Sequence, residues 1–176
     1  MHTNREEVIQ TARLRLQTMT DADEDGVIEL LTNEEIGKTF MVPNFQSREQ
    51  AYRVFTSIKT ASQSPEKFVY GIYLNGKIIG FLNDVEQTDE YIELGFVVHP
   101  DYKNHGYATE AFSAAMQALF ALGWKCVKTG AFAENGASIR VMEKSGMTRL
   151  DEVTKIEYRG QEHDCVWFEK RAEKQA

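Results

Sequence analysis

The stretch Ile92-Glu-Leu-Gly-Phe-Val-Val-His-Pro-Asp-Tyr-Lys-Asn-His-Gly-Tyr-Ala-Thr-Glu-Ala111 constrains the fold more than any other part of the chain. Its apolar and β-branched start reads as a strand, Tyr91 to Val98, which Pro100 stops. Gly106 follows. From Tyr107 to Leu122 the residues Phe112, Met116, Leu119 and Phe120 then fall on one helical stripe, and Gly123 supplies the stop. A strand that feeds a helix through a short glycine turn gathers free backbone N–H groups at the helix start. The positive end of the helix dipole adds to them, and together they make an anion site. Gly106 has no side chain to hold a phosphate off, and Ala108 has almost none, so a pyrophosphate can lie across the turn. On spacing alone the segment also reads as a plain turn before a helix. A dinucleotide-binding turn fits worse, because G-x-G-x-x-G is absent and the element order is wrong.

The flanking segments place this turn in a mixed sheet. Residues 13–18 (Arg-Leu-Arg-Leu-Gln-Thr) alternate as a half-buried strand does. Thr20 with Asp21, Asp23 and Glu24 reads as a helix start whose apolar face is Val27, Ile28, Leu30 and Leu31. Ser47 caps a second helix running to about Ala61, with Tyr52, Phe55 and Ile58 at helical spacing. Phe68–Leu74 and Lys77–Val85 form a hairpin across Asn75-Gly76. Beyond the central helix come a strand, Lys125–Phe132, and a helix, Ala137–Lys144, ended by Gly146. Two late strands, Thr148–Tyr158 and Glu162–Lys170, close the order β-α-α-β-β-β-α-β-α-β-β. That order predicts a mixed α/β sheet with helices on both faces.

A length of 176 residues suits one domain over 1–176, with 1–10 and 171–176 as flexible tails. No apolar run approaches the roughly 20 residues that span a bilayer. Met1 to Gln10 is polar rather than leader-like, so a cytoplasmic protein is expected. Cys126 and Cys165 are expected as buried reduced thiols. They share no ligand spacing with His2, His99, His105 or His163, so no metal is expected. The net charge of -7 argues against a nucleic-acid surface and is compatible with a cationic substrate such as an amine.

Two ordered segments carry a resemblance to a known family. Lys103-Asn-His-Gly-Tyr-Ala108 resembles the phosphate loop of the GCN5-related N-acetyltransferases (GNAT), with lysine in place of the usual arginine or glutamine. Asn135-Gly-Ala-Ser-Ile-Arg-Val-Met-Glu-Lys-Ser-Gly-Met147 resembles a second GNAT segment. Thr11-Ala-Arg-Leu-Arg-Leu16 and Glu157-Tyr-Arg-Gly-Gln-Glu-His-Asp164 are similar to the branch that acetylates ribosomal-protein N-termini (RimJ/RimL-like). The resemblance implies a mostly antiparallel seven-stranded sheet whose central strands splay around the pantetheine arm of acetyl-CoA. It implies that Val97 and Val98 pair with that arm. Lys103, Asn104, His105, Gly106, Tyr107, Ala108 and Thr109 would hold the pyrophosphate, while Asn135 and Ser138 line the thioester end. The expected reaction is N-acetylation of a primary amine, either a protein N-terminus or a small molecule, with acetyl-CoA as co-substrate. No nucleic acid or membrane is involved, and a homodimer is allowed.

An ammonium must lose a proton before it attacks a thioester, and a carboxylate can take that proton. Glu93 sits where many GNAT enzymes place such a base. Glu157 matches the glutamate proposed in the ribosomal-protein branch, and the sequence leaves both open. The tyrosine acid of many family members is here Met142, so Ser138 is the substitute the branch suggests; it reads equally as a helix cap. Phe40, Phe45, Tyr52 and Phe55 read as packing residues or as the lining of an acceptor pocket. The contrasting reading is a non-catalytic acyl-CoA-binding module, which would keep Gly106 and lack a usable base.

Overall fold

In a computed structural model, which describes residues 5–174, the chain forms one eight-stranded sheet. The strands are β1 (Val8–Gln10), β2 (Leu14–Gln17), β3 (Tyr70–Leu74), β4 (Lys77–Gln87), β5 (Ile92–Val98), β6 (Cys126–Phe132), β7 (Thr148–Tyr158) and β8 (Gln161–Arg171). The helices are α1 (Glu24–Thr32), α2 (Glu34–Gly37), α3 (Arg48–Gln63), α4 (Tyr107–Ala121) and α5 (Gly136–Lys144). Spatial order is β1-β2-β3-β4-β5-β6-β8-β7, antiparallel throughout except for β5 and β6.

The expected turns form for the expected reasons. Thr20 and Asp23 make a capping box ahead of α1, and Ser47 Oγ accepts from the Gln50 N–H at 3.3 Å. Asn75-Gly76 and Arg159-Gly160 both adopt positive φ, as two-residue hairpin turns require. α4 ends at Gly123 (φ 99), with the Trp124 N–H reaching back to the Leu119 carbonyl.

Two expectations are corrected. The sheet has eight strands rather than seven, because Val8–Gln10 pairs with β2 instead of trailing as a tail. Ile9 is buried, and the Arg5 guanidinium donates to the Val69 carbonyl at 3.0 Å, so local polarity is outweighed by docking. At the other end β8 runs through Arg171, and the Ala172 N–H bonds the Lys125 carbonyl. Residues 1–4, His2 among them, and 175–176 lie outside the described residues.

Each sheet face has its own core. α4 and α5 cover one, burying Phe112, Met116, Leu119 and Met142 against Leu94, Val127 and Phe168. α1, α2 and α3 cover the other, burying Val27, Leu30, Ile36 and Phe55 against Tyr73, Phe81 and Val97. Cys126 and Cys165 are both buried free thiols. No helix among the described residues is long and apolar enough to cross a membrane.

The site is made by a failure of pairing in the middle of the sheet. β5 and β6 pair only at Ile92↔Val127 and Glu93↔Lys128, then diverge. At the divergence the buried Thr129 hydroxyl donates to the Leu94 carbonyl at 2.7 Å, replacing the ladder bond that β6 no longer supplies. Removing that donor strands a buried carbonyl, which costs about 1–3 kcal/mol. Thr129→Val, isosteric but without the hydroxyl, is therefore expected to lower stability by about that amount, read as a lower urea midpoint at unchanged m-value.

Candidate active site

Past the divergence, a cleft of about 1000 Å³ opens between β5 and β6. Strand alternation divides it into two sides. Leu94, Phe96 and Val98 belong to the α4–α5 core, whereas Val97 belongs to the α1–α3 core. Glu93 and Gly95 alternate onto the same face as Val97. From Gly95 to Val98, β5 is hydrogen-bonded on its β4 side but has no β6 partner. That free edge can receive an extended ligand as an added strand. Val97 and Val98 both line the cleft there.

At the open end stands the glycine turn. Pro100–Tyr102 forms a single 3-10 turn, and Gly106 takes φ 79 at the N-cap of α4. No side chain caps this helix, so the first N–H groups of α4 are left for an incoming acceptor. Lys103, Asn104, Gly106, Tyr107, Ala108 and Thr109 all line the cleft. His105 does not; its Nδ1 contacts the Lys103 carbonyl at 2.6 Å, and its ring stacks on Tyr107 at 5.5 Å. The positive φ excludes β-branched residues at Gly106.

Ion pairs flank this turn. Lys103 Nζ is ion-paired with Glu35 of α2, across the cleft mouth, rather than standing free over the turn. That contact holds the Glu35 carboxyl below its usual range. Arg13 braces the turn from the β1–β2 connection. Its Nε pairs with Glu110 at 2.8 Å, a terminal nitrogen donates to the His105 carbonyl at 2.9 Å, and its guanidinium lies 4.5 Å above the Tyr107 ring. In the sequence Arg13 stands out only as part of the alternating strand and of the Thr11–Leu16 segment. Its contacts are with residues more than 90 positions away, beyond local pattern.

Across the opening, beyond the diverged end of β6, Asn135 caps α5, its Oδ1 accepting from the Ser138 N–H at 3.2 Å. Ser138 is therefore not the cap. Its hydroxyl makes no hydrogen bond among the described residues, is half-buried and lines the cleft. Met142 is buried beside it and lines the same wall.

The two candidate carboxylates are separated by their placement. Glu93 lines the cleft at the divergence, half-buried. Burial pushes its carboxyl above the ordinary value, the facing Glu86 adds to the rise, and Lys128 opposes it. Glu157 is exposed on β7 and does not line the cleft; Ile156 does, and alternation turns Glu157 to the other face. Of the four aromatic residues considered, Phe40 lines the cleft, edge-on to Phe81 at 5.8 Å. Phe45 and Phe55 pack in the α1–α3 core, and Tyr52 is exposed.

Sequence reasoning missed Asn83, Trp167 and Tyr158. Asn83 and Trp167 line the cleft, and Trp167 Nε1 is fixed on Thr154 at 2.9 Å. The Tyr158 hydroxyl donates to the Gly37 carbonyl at 2.7 Å, tying the α2 segment to the β7–β8 hairpin. Each takes its place from a contact with another element, which no local spacing carries.

The raised Glu93 carboxyl makes a stability statement. A folded state that holds the proton more tightly than the unfolded chain loses stability as pH rises through the folded pKa, and is unpenalised below the unfolded value. Glu93→Gln is accordingly expected to raise the urea midpoint at pH 7, with the gain vanishing near the ordinary glutamate range.

Comparison with known proteins agrees with this geometry. Residues 13–148 match the acetyltransferase (GNAT) domain family. The chain is 26% identical over 147 residues to the uncharacterized N-acetyltransferase YoaA of Bacillus subtilis, covering 81% of this chain and 83% of that one. Its fold superposes on an acetyltransferase (GNAT family) from Bacillus anthracis with a TM-score of 0.80 at 21% identity, over 93% and 98% of the two chains. It also superposes on RimL, the ribosomal L7/L12 alpha-N-protein acetyltransferase, with a TM-score of 0.83 at 16% identity over 94% of each. RimL is also known in complex with coenzyme A. The sequence segments, the divided sheet and the matched family agree: this chain belongs to the GNAT acetyltransferases and is an acyltransferase.

Proposed function

We propose that residues 1–176 act as one cytoplasmic N-acetyltransferase domain of the RimJ/RimL-like kind, moving the acetyl group of acetyl-CoA to a primary amine. The observation that carries this reading is the half-buried Glu93 at the point where β5 and β6 part, in the cleft that begins at the Gly106 turn. The residues fit the nucleotide. The uncapped start of α4 and the bare Gly106 receive a pyrophosphate, and the unpaired edge at Val97 and Val98 receives the pantetheine amides.

Glu93 takes a proton from the bound ammonium. The neutral nitrogen then attacks the thioester carbonyl carbon, so a C–N bond forms as the C–S bond breaks. A free N–H of β5 near Val97 or Val98 stabilises the developing oxyanion, an interaction worth about 3–4 kcal/mol where a single donor has been removed. The thiolate departs with the bonding electrons and takes a proton from the Ser138 hydroxyl, which regains one from the acetylated nitrogen through water. A thiol pKa near 8.5 makes this last help modest. Glu157 has no part in the scheme, and a binding-only module gains no support while Glu93 occupies this position.

Three measurements test the scheme. Gly106→Asn, whose side chain tolerates the positive φ but stands in the path of a phosphate, is expected to abolish calorimetric binding of acetyl-CoA with the fold kept; retained affinity would count against the loop assignment. Thiol release with an amine panel should fall at least 100-fold in Glu93→Gln, less than tenfold in Ser138→Ala, and not at all in Glu157→Gln, in line with general-base contributions of about 10²–10⁴. In the wild type the acidic limb of kcat/KM should lie above the ordinary carboxyl value of 4.5 and move higher in Lys128→Met, which removes the cation that opposes the rise.

A further inference from the structure

The α1–α3 side of the cleft has a floor and a mouth of opposite character. Asn83 lies directly across from Gly95 in the β4–β5 ladder. Because Gly95 has no side chain, the Asn83 amide lies over it; a Cβ there would sit 3.0 Å from Asn83 Oδ1. That oxygen is buried and accepts no hydrogen bond, alone in this respect among the described side-chain atoms. Glu93 projects from the same strand face two residues earlier. An unmet buried acceptor costs about 1–3 kcal/mol until a donor reaches it. The terminal torsion of an asparagine is broad, so a small rotation turns the oxygen to the cleft.

One stretch of the rim is apolar, apart from the Lys103–Glu35 pair. Past Asn83 the β4–β5 register slips between Asp84 and Glu86, leaving Val85 on a bulge. Bulges beside active sites re-aim side chains, and Val85 is 57% exposed and lines the cleft. Met41, on the segment after α2, is 54% exposed and lines it too. Two of the five exposed large hydrophobic residues among those described therefore line one cleft, which Phe40 lines as well.

We infer that Asn83 and Glu93 together bind the acceptor ammonium, and that the acceptor is a primary amine borne on an apolar, uncharged skeleton that rests on Val85 and Met41. An ammonium offers three donors, enough for the Asn83 oxygen and the Glu93 carboxylate at once. A carboxylate on the same carbon would be brought against Glu93, so a free amino acid is disfavoured. A polyamine whose chain followed the same path would set its second cation on Val85 and Met41. An alkyl or aryl amine and a peptide end beginning with an apolar residue share the favoured chemistry. This inference rests on the amine acetylation proposed above.

The test separates the two. Wild-type protein saturated with CoA is titrated calorimetrically with phenethylamine, an amidated tripeptide beginning with methionine, phenylalanine and spermidine. The first two distinguish a small amine from a peptide end, and at least one is expected to bind tenfold or more tighter than the last two. Asn83→Leu is expected to weaken that binding at least tenfold and to raise KM for the amine more than it lowers kcat. Its acetyl-CoA affinity should be unchanged and its thermal midpoint unchanged or higher, because an unmet polar atom is gone. Val85→Ser, on an exposed bulge where folding is not at stake, should narrow the preference for phenethylamine over methylamine. Equal or tighter binding of phenylalanine or spermidine, no binding of either favoured amine, or undiminished affinity in Asn83→Leu overturns the inference. Failure of acetyl-CoA to bind, or absence of acetylated product, counts instead against the transfer reaction, since amine binding is read without turnover.

Discussion

The architecture depends on one substituted hydrogen bond. Where β6 leaves β5, the Leu94 carbonyl would be an orphan inside the core, and the Thr129 hydroxyl takes the place of the missing ladder donor. With that carbonyl satisfied, the strands can part without leaving an unpaired group at the apex. The cleft opens beyond this point, with Glu93 at its apex. The bare edge of β5, the turn before α4 and the cap of α5 face the opening as direct consequences of the divergence. A continuous parallel ladder would give a stabler sheet and no cleft.

The two ends of the cleft are tied by charge rather than by apolar packing. Lys103, on the glycine turn, reaches Glu35 of α2, and His99 Nε2 contacts Glu29 of α1 at 3.0 Å. The α2 segment is held from its other side by the Tyr158 hydroxyl. The segment carrying Phe40 and Met41 is thus suspended between the anion turn and the β7–β8 hairpin. Exposed ion pairs are individually weak, about 0–1 kcal/mol. The half-buried Tyr158 hydroxyl, which donates to the Gly37 carbonyl at 2.7 Å, keeps the segment in place.

What was legible in the sequence followed from local rules. The hairpins at Asn75-Gly76 and Arg159-Gly160, the Thr20 and Ser47 caps and the apolar stripe of α4 each lie within a few residues of their own signal. β1 was not legible, because three residues with a single buried side chain, Ile9, carry no period. In the site, Gly106 was readable for the same local reason, and Glu93 from the family pattern. Asn83, Arg13 and Trp167 were not, since each acquires its place from a partner across the sheet. Ser138 shows the limit in reverse. It has the right composition for a cap, but Asn135, three residues earlier, takes that position and leaves the serine hydroxyl free.

Features that oppose stability gather in one place. Glu93 is half-buried opposite another glutamate, Asn83 Oδ1 is buried without a donor, Val85 is forced out on a bulge, and Met41 is left exposed. Elsewhere the buried polar side chains are matched: Ser62 bonds the Met19 N–H, Ser145 meets Ser113, and Thr129 meets Leu94. Among the described residues the buried side-chain polar atoms are satisfied except around one half of a cleft, which is not poor packing by accident. Each unmet group has a definite complement: a donor for the amide, a cation for the carboxylate and an apolar surface for the two exposed side chains. A single molecule with an ammonium at one end and a hydrocarbon behind it supplies all three, so the acceptor is written into this side of the sheet as the set of interactions the protein leaves unmade.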